Sequence, residues 1–363
     1  GAGAYLANAL AGYLINFLGG GLKDYQLQIA LGSLVVFYVI HVIGVLWFGR
    51  MQVFLCALKC LALMVLIVPG LFSLKSTNYA PFFSHGWSGF GASLLPLFFA
   101  YAGFESLAQT AGEVKDSTKR LPRILLIGIS ITALIYVLTS LVSFGVLPGS
   151  RLQSTNAPMA EVASVYLPGG AAMFVTLGAI AAIMTALNGT ILVPSRLALM
   201  LAKDRLAPQW LGVVNASTAT PIRGLTLTLL ACALLLISGQ LLLALNIAVT
   251  ALIGLYLIHS VIFLLLPKLN PSLSKEITLN MSPTLMKVAA LASALSMATM
   301  LAIQFAGDIG TLKSQTLRER ITGGSLTSLE LMVAWGFVGL VLYQFARLRS
   351  GKPDLDAEEA HAD

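Results

Sequence analysis

Two ionisable side chains, Lys59 and Glu105, stand inside apolar stretches of the chain. A charge at the centre of a bilayer costs about 2.5–3.5 kcal/mol on insertion scales, so such residues usually face a protein interior or an aqueous cavity. Lys59 lies in Phe54-Leu-Cys-Ala-Leu-Lys59-Cys-Leu-Ala-Leu-Met64, with Leu55, Cys56 and Leu63 at same-face helical spacing. An amine there can hold a proton in one state and release it in another, which is what ion coupling requires. The competing use is snorkelling, but Lys59 is about eight residues, or roughly 12 Å, from the inner end of its stretch.

Glu105 follows Pro96-Leu-Phe-Phe-Ala-Tyr-Ala-Gly103-Phe104, and Ser106, Gln109 and Thr110 come after it. A proline and a glycine weaken the backbone ladder, and a discontinuous helix frees carbonyls and amides to hold a ligand at mid-depth. The outer half-helix would point its negative C-terminal end at the membrane centre, which suits an amine. The inner half-helix would begin near Phe104, with Glu105 in its favourable first turn. The alternative is an ordinary helix packed through Gly103, with Glu105 bonded to a neighbour.

Further along, Thr185, Asn188, Thr190 and Ser195 share one apolar stretch, where they would line a cavity or bond between helices. The sequon at Asn188-Gly-Thr190 is discarded because a membrane span is not glycosylated. His41 and His259 have no second ligand at suitable spacing and read as packed, hydrogen-bonded side chains. Cys56 and Cys60 are one turn apart, Cys232 is remote, and packing is the better reading of all three. No phosphate loop, zinc spacing or nucleophile elbow is present, so neither an enzyme nor a cofactor or metal site is expected. No loop is long enough for a nucleotide-driven pump.

The elements that hold these residues are helical. Of 363 residues, 57% are hydrophobic and only 10% are charged, far below the roughly 25% charged residues of soluble domains. Mean hydropathy is +0.87. Ten apolar segments, about 3–20, 28–48, 52–74, 90–112, 122–147, 168–202, 222–239, 241–266, 284–307 and 328–349, predict an all-α polytopic membrane protein. A barrel is excluded, since its strands alternate and are about ten residues long. The sixth segment exceeds one crossing and is expected to continue as a cytoplasmic extension around Leu197–Ala202. Residues 1–349 read as one transmembrane domain. Residues 350–363, with five acids in the last ten positions, read as a disordered cytoplasmic tail.

Fifteen Lys and Arg residues fall on one side of the spans and six on the other, which makes the first side cytoplasmic, together with the C-terminus. This asymmetry accounts for the +7 net charge without nucleic acid. The start at Gly1, with no basic stretch before the first apolar run, reads as a truncation rather than a signal peptide. Asn156-Ala-Pro158 is expected to start a short external helix with Asn156 as N-cap. Thr327-x-x-Glu330 forms a capping box that gives Glu330 a structural task.

Three motifs then resemble amino acid permeases of the amino acid–polyamine–organocation superfamily. The first is Phe98-Phe-Ala-Tyr-Ala-Gly-Phe-Glu105 followed by Gly112-Glu-Val-Lys-Asp-Ser-Thr-Lys-Arg-Leu-Pro122, with Ser117 in place of the usual proline. The second runs from Leu187-Asn188 through Pro194-Ser-Arg196 to Ala202-Lys-Asp-Arg-Leu-Ala-Pro208 and Thr220-Pro-Ile-Arg223, where Arg205 replaces a glycine. The third is Gly49-Arg-Met-Gln52 leading to Leu58-Lys59.

The resemblance implies a leucine-transporter-type fold, a five-plus-five inverted repeat with two extra C-terminal helices. The first two helices and part of the third would be missing here. It also implies that the substrate site includes Phe99, Ala100, Tyr101, Ala102, Gly103 and Phe104. The carbonyls of Phe99, Ala100 and Ala102 would receive the substrate ammonium, and Phe104 would help close the site. Lys59 would substitute for the cation of sodium-linked relatives, beside Thr185 and Ala186; the latter lacks a hydroxyl. Glu105 and Asn188 join Lys59 and Thr185 as coupling or gating candidates. The implied activity is secondary active transport of amino acids across the cytoplasmic (inner) membrane, by alternating access with proton symport. Its partners are then an amino acid, protons and the lipid bilayer. Segments 90–112 and 122–147 would rock against 28–48, 168–202 and 222–239. An amino acid/polyamine exchanger and a non-transporting sensor or partner subunit remain alternatives.

Overall fold

The computed structural model describes residues 1–350 except 84–85, 106, 108–115, 156, 216–217, 219, 276, 278–280 and 324–325. The described residues form helices and connections and contain no strands. The long helices are α1 (Ala2–Phe17), α2 (Gln26–Ile43), α3 (Val45–Gly70), α4 (Gly86–Tyr101) and α5 (Ser117–Val146). A short α6 (Pro158–Tyr166) precedes α7 (Gly169–Lys203), α8 (Ile222–Ile237), α9 (Leu241–Leu269), α10 (Pro283–Ser314) and α11 (Ser328–Ser350). Seven helices among the described residues are long and apolar enough to cross a membrane, and the chain is an integral, multi-pass membrane protein.

Each of the ten apolar segments holds one of these long helices, but not all are full crossings. The 16 residues of α1 and the 16 of α8 rise only about 24 Å each, short of the roughly 30 Å hydrocarbon core. In the segment 90–112, α4 ends at Tyr101. In contrast, α7 has 35 residues, rises about 52 Å, and includes the extension expected around Leu197–Ala202.

The contacts gather into two compact units. The first comprises Gly1–Asn78, Leu141–Leu241 and the chain from Val333; the second comprises Tyr79–Ser140 and Leu242–Met332. In the first unit, α7 is the central element. Its buried stripe Gly178, Ala181, Thr185, Asn188, Leu192 and Ser195 advances by alternating steps of three and four residues. Small residues there let helices approach closely, and Thr185 and Asn188 bond across to Lys59 and Gln52 of α3. Ala4, Ala7 and Ala11 of α1, Leu34 and Phe37 of α2, and Leu225 and Leu236 of α8 pack around Leu187 and Ile191. A second cluster joins Leu66 of α3 to Val142, Val146, Val162 and Val175.

Helices α3 and α7 pack tightly at Gly178, where an added Cβ would overlap the Ala62 methyl. Gly178→Val is therefore expected to cost about 1–3 kcal/mol by overpacking. Gly189→Ala, on the same helix but with open space around it, should cost nothing measurable. Melting temperatures of the detergent-solubilised variants test this pair; equal values for the two would contradict the packing.

Helix ends follow local chemistry. Thr327 and Glu330 form the expected capping box: the Glu330 N–H reaches Thr327 Oγ1 at 3.3 Å and the Thr327 N–H reaches Glu330 Oε2 at 2.9 Å. Glu330 also pairs with the buried Arg320 at 2.7 Å, a contact the capping pattern did not reveal. Pro158 opens α6 as expected, but Ala157 occupies the N-cap position and Thr155 Oγ1 accepts the Ala157 N–H at 3.2 Å. Asn156, the predicted cap, lies outside the described residues, as does the acidic tail beyond Ser350. Arg151 pairs with Glu161 at 2.6 Å outside the spans and holds that carboxyl below its usual range.

Candidate functional site

In the second unit, the expected helix break is present. Helix α4 ends at Tyr101, and Ala102, Gly103 and Phe104 form a turn before helical backbone resumes at Glu105. Gly103 has φ +122°, a conformation that side-chain-bearing residues rarely adopt, so glycine is what allows the chain to turn here. The Gly103 N–H donates to Glu105 Oε2 at 2.8 Å. The carboxylate thereby satisfies a backbone donor that the interrupted ladder leaves open. Gln109 and Thr110 lie outside the described residues, as does Ser106.

The carbonyls at the end of α4 are partly engaged. Phe99 O accepts the Ala102 N–H at 3.0 Å, and Ala100 O accepts the Tyr136 hydroxyl at 2.6 Å. A carbonyl has two lone pairs, so each can still accept from a ligand ammonium, and the negative helix end favours one. Tyr101 packs edge-on against Tyr136 of α5. Ala100, Tyr101, Ala102 and Phe104 line a cavity of about 250 Å³ together with Leu107 and six residues of α5, among them Ile124 and Thr132. None of its lining residues is charged; Phe99 and Gly103 are not among them.

Tyr256, on α9, was not singled out by the sequence, yet it bridges the break. Its hydroxyl donates to Glu105 Oε2 at 2.6 Å. Its ring stacks on Phe104, with centroids 5.3 Å apart and planes 15° apart, and meets Phe98 edge-on at 5.7 Å. One side chain thus touches residues before and after Gly103. The available signal was a phenol in the middle of an apolar stretch, since a buried tyrosine hydroxyl needs a partner.

In the first unit, Lys59 of α3 donates from Nζ to Thr185 Oγ1 on α7 at 3.2 Å. The Thr185 hydroxyl donates in turn to the Ala182 carbonyl at 2.8 Å. Its proton is thus committed, and its lone pairs face the amine. That polarity suits an ammonium, because hydrogen bonds from a charged donor are the stronger ones. Asn188, fully buried, donates from Nδ2 to Gln52 Oε1 at 2.9 Å, and Gln52 Nε2 points at the Thr185 carbonyl at 3.5 Å. His41 Nε2 pairs with the Asn188 carbonyl at 3.1 Å, and Thr220 Oγ1 donates to the His41 carbonyl at 3.1 Å. His41 is therefore the packed, bonded side chain expected. Thr190 and Ser195 bond back to Leu187 and Leu192 of their own helix rather than across to a neighbour.

Two expectations are corrected. His259 is exposed, on a face of α9 shared with Leu255, Ile258 and Ile262. Cys56 and Cys60 are exposed too, and of the three thiols only Cys232 is packed. On α3 the buried side runs through Leu55, Ala62 and Leu66, and the two cysteines fall at its edge. No group of three or more metal-ligating side chains occurs among the described residues.

The sequence pattern of a family described as amino acid permease matches residues 1–318. The chain is 34% identical over 155 residues to the mitochondrial cationic amino acid transporter 3 of Arabidopsis thaliana, covering 43% of this chain and 25% of that protein. It is 30% identical over 207 residues to the branched-chain amino acid permease BcaP of Lactococcus lactis, covering 54% and 43%. It is 29% identical over 191 residues to the inner membrane transport protein YbaT of Escherichia coli, covering 52% and 44%. The matched stretch is thus less than half the length of each of these relatives.

Proposed function

This chain belongs to the amino acid permease family, and we propose that it carries amino acids across the cytoplasmic membrane as a secondary active transporter coupled to protons. The observation that carries the reading is the interrupted helix at Gly103. A helix C-terminal end with acceptor carbonyls at Phe99 and Ala100 suits the ammonium of an amino acid. Glu105 and Tyr256, bonded to each other across the break, are the gate: substrate entry would disturb the bond and its release would restore it.

Coupling falls to Lys59. In the protonated state its ammonium is held by Thr185 and occupies the place of a cation. On deprotonation that hold weakens, and α3 and α7 lose a charge-assisted tie. The grouping of contacts supports alternating access, since 90–112 and most of 122–147 fall in one unit and 28–48, 168–202 and 222–239 in the other. The distribution of Lys and Arg supports a cytoplasmic C-terminus. Exchange of cationic substrates is the weaker reading, because burying a cationic side chain calls for a paired acid and the cavity at the break has none.

The test is counterflow in proteoliposomes made with the full-length protein. Vesicles preloaded with a neutral amino acid should draw in the labelled form. Absence of counterflow for every amino acid tried, with the protein shown to be folded and inserted, would overturn the assignment.

A further inference from the structure

We propose that Gln52 is a positioning residue: its carboxamide sets the register of α7 against α3 so that the Thr185 hydroxyl faces Lys59. The inference rests on the coupling role of Lys59 proposed above. Gln52 and Lys59 are two turns apart on one face of α3, and Thr185 and Asn188 are one turn apart on α7. Lys59 binds the Thr185 hydroxyl at 3.2 Å. Gln52 accepts from the Asn188 amide at 2.9 Å and directs its own amide to the Thr185 carbonyl at 3.5 Å.

Three features make this a register device rather than incidental bonding. First, the contact between the same helices at Gly178 and Ala62 is glycine against a methyl group. That contact sets how closely α3 and α7 approach, but it carries no hydrogen bond that aligns the Thr185 hydroxyl with Lys59. Second, Asn188 is fully buried, so no bulk water competes for its bond to Gln52. Third, the backbone of Asn188 is tied from the other side by His41 at 3.1 Å, which gives the amide pair a fixed footing. Lys59 has a long, rotatable stem, whereas the Thr185 hydroxyl is locked by its bond to Ala182. The alignment of the pair is therefore decided by where α7 stands, and Gln52 holds it there.

The experiment is the pH dependence of initial uptake rate in proteoliposomes containing the full-length protein. Gln52→Leu, Thr185→Val, the double variant and Lys59→Ala are compared with the unmodified protein. Gln52→Leu should give the same altered profile as Thr185→Val, because both variants take the aligned acceptor away from the amine. The double variant should depart no further than Thr185→Val alone, as expected if both act on one bond. Should Gln52→Leu fail to fold, Asn188→Ala is measured in its place with the same expected profile. A profile equal to that of the unmodified protein, or additive changes in the double variant, would overturn the proposal. If Lys59→Ala itself keeps the unmodified pH profile, it is the coupling role of Lys59 that fails, and that result is read separately.

Discussion

Lys59→Ala should abolish accumulation driven by a proton gradient while leaving gradient-free counterflow measurable. One-to-one symport driven by a gradient of about two pH units can concentrate substrate up to about 100-fold. Without the amine the ratio should fall to about one. The argument is geometric: the amine meets an acceptor whose own proton is committed to Ala182, so its bond to Thr185 is strongest when it is charged. Lys59→Arg sharpens the test. Arginine keeps the charge but does not release its proton, so it should also lose accumulation while retaining substrate binding. Undiminished accumulation by Lys59→Ala would refute the coupling role and leave the family assignment untouched.

The second large effect is expected at the break. Glu105→Ala removes the acceptor of both the Gly103 N–H and the Tyr256 hydroxyl. Each donor left without its acceptor costs about 1–3 kcal/mol, and with the break so destabilised the initial uptake rate should drop by about tenfold. Tyr256→Phe keeps the stack on Phe104 and loses one bond, and its deficit should be smaller than that of Glu105→Ala. Tyr256→Leu forfeits the ring contacts to Phe98 and Phe104 as well and should approach the Glu105→Ala rate. Rates for the three variants that fall in any other order would argue against a gate built on this pair.

How much of this was legible in the sequence differs from residue to residue. The break was, because Pro96, Gly103 and Glu105 are each anomalous in an apolar span and occur together. The partnership of Lys59 with Thr185 followed only from the resemblance, since nothing in composition says which of ten helices a lysine meets. Helix α3 shows why: it is apolar nearly all round, and its periodicity did not separate the buried Leu55 from the exposed Cys56 beside it. The same uniformity on α9 hid Tyr256 and misplaced His259. Gln52 was noticed as part of a motif, but its bond to Asn188 depends on the rotation of two helices, which a hydrophobic pattern leaves open. Capping was the reverse case: Thr327 and Glu330 are three residues apart, so their contact is local and readable.

The central claim is that an amino acid and a proton move together. The most direct measurement is the pH inside proteoliposomes carrying the full-length protein, followed with a trapped dye when a transported amino acid is added outside without an imposed gradient. The lumen should acidify as substrate enters, with no requirement for sodium, and Lys59→Ala should show no pH change. Substrate entry with a constant lumenal pH, or entry that depends on sodium, would contradict proton coupling through Lys59.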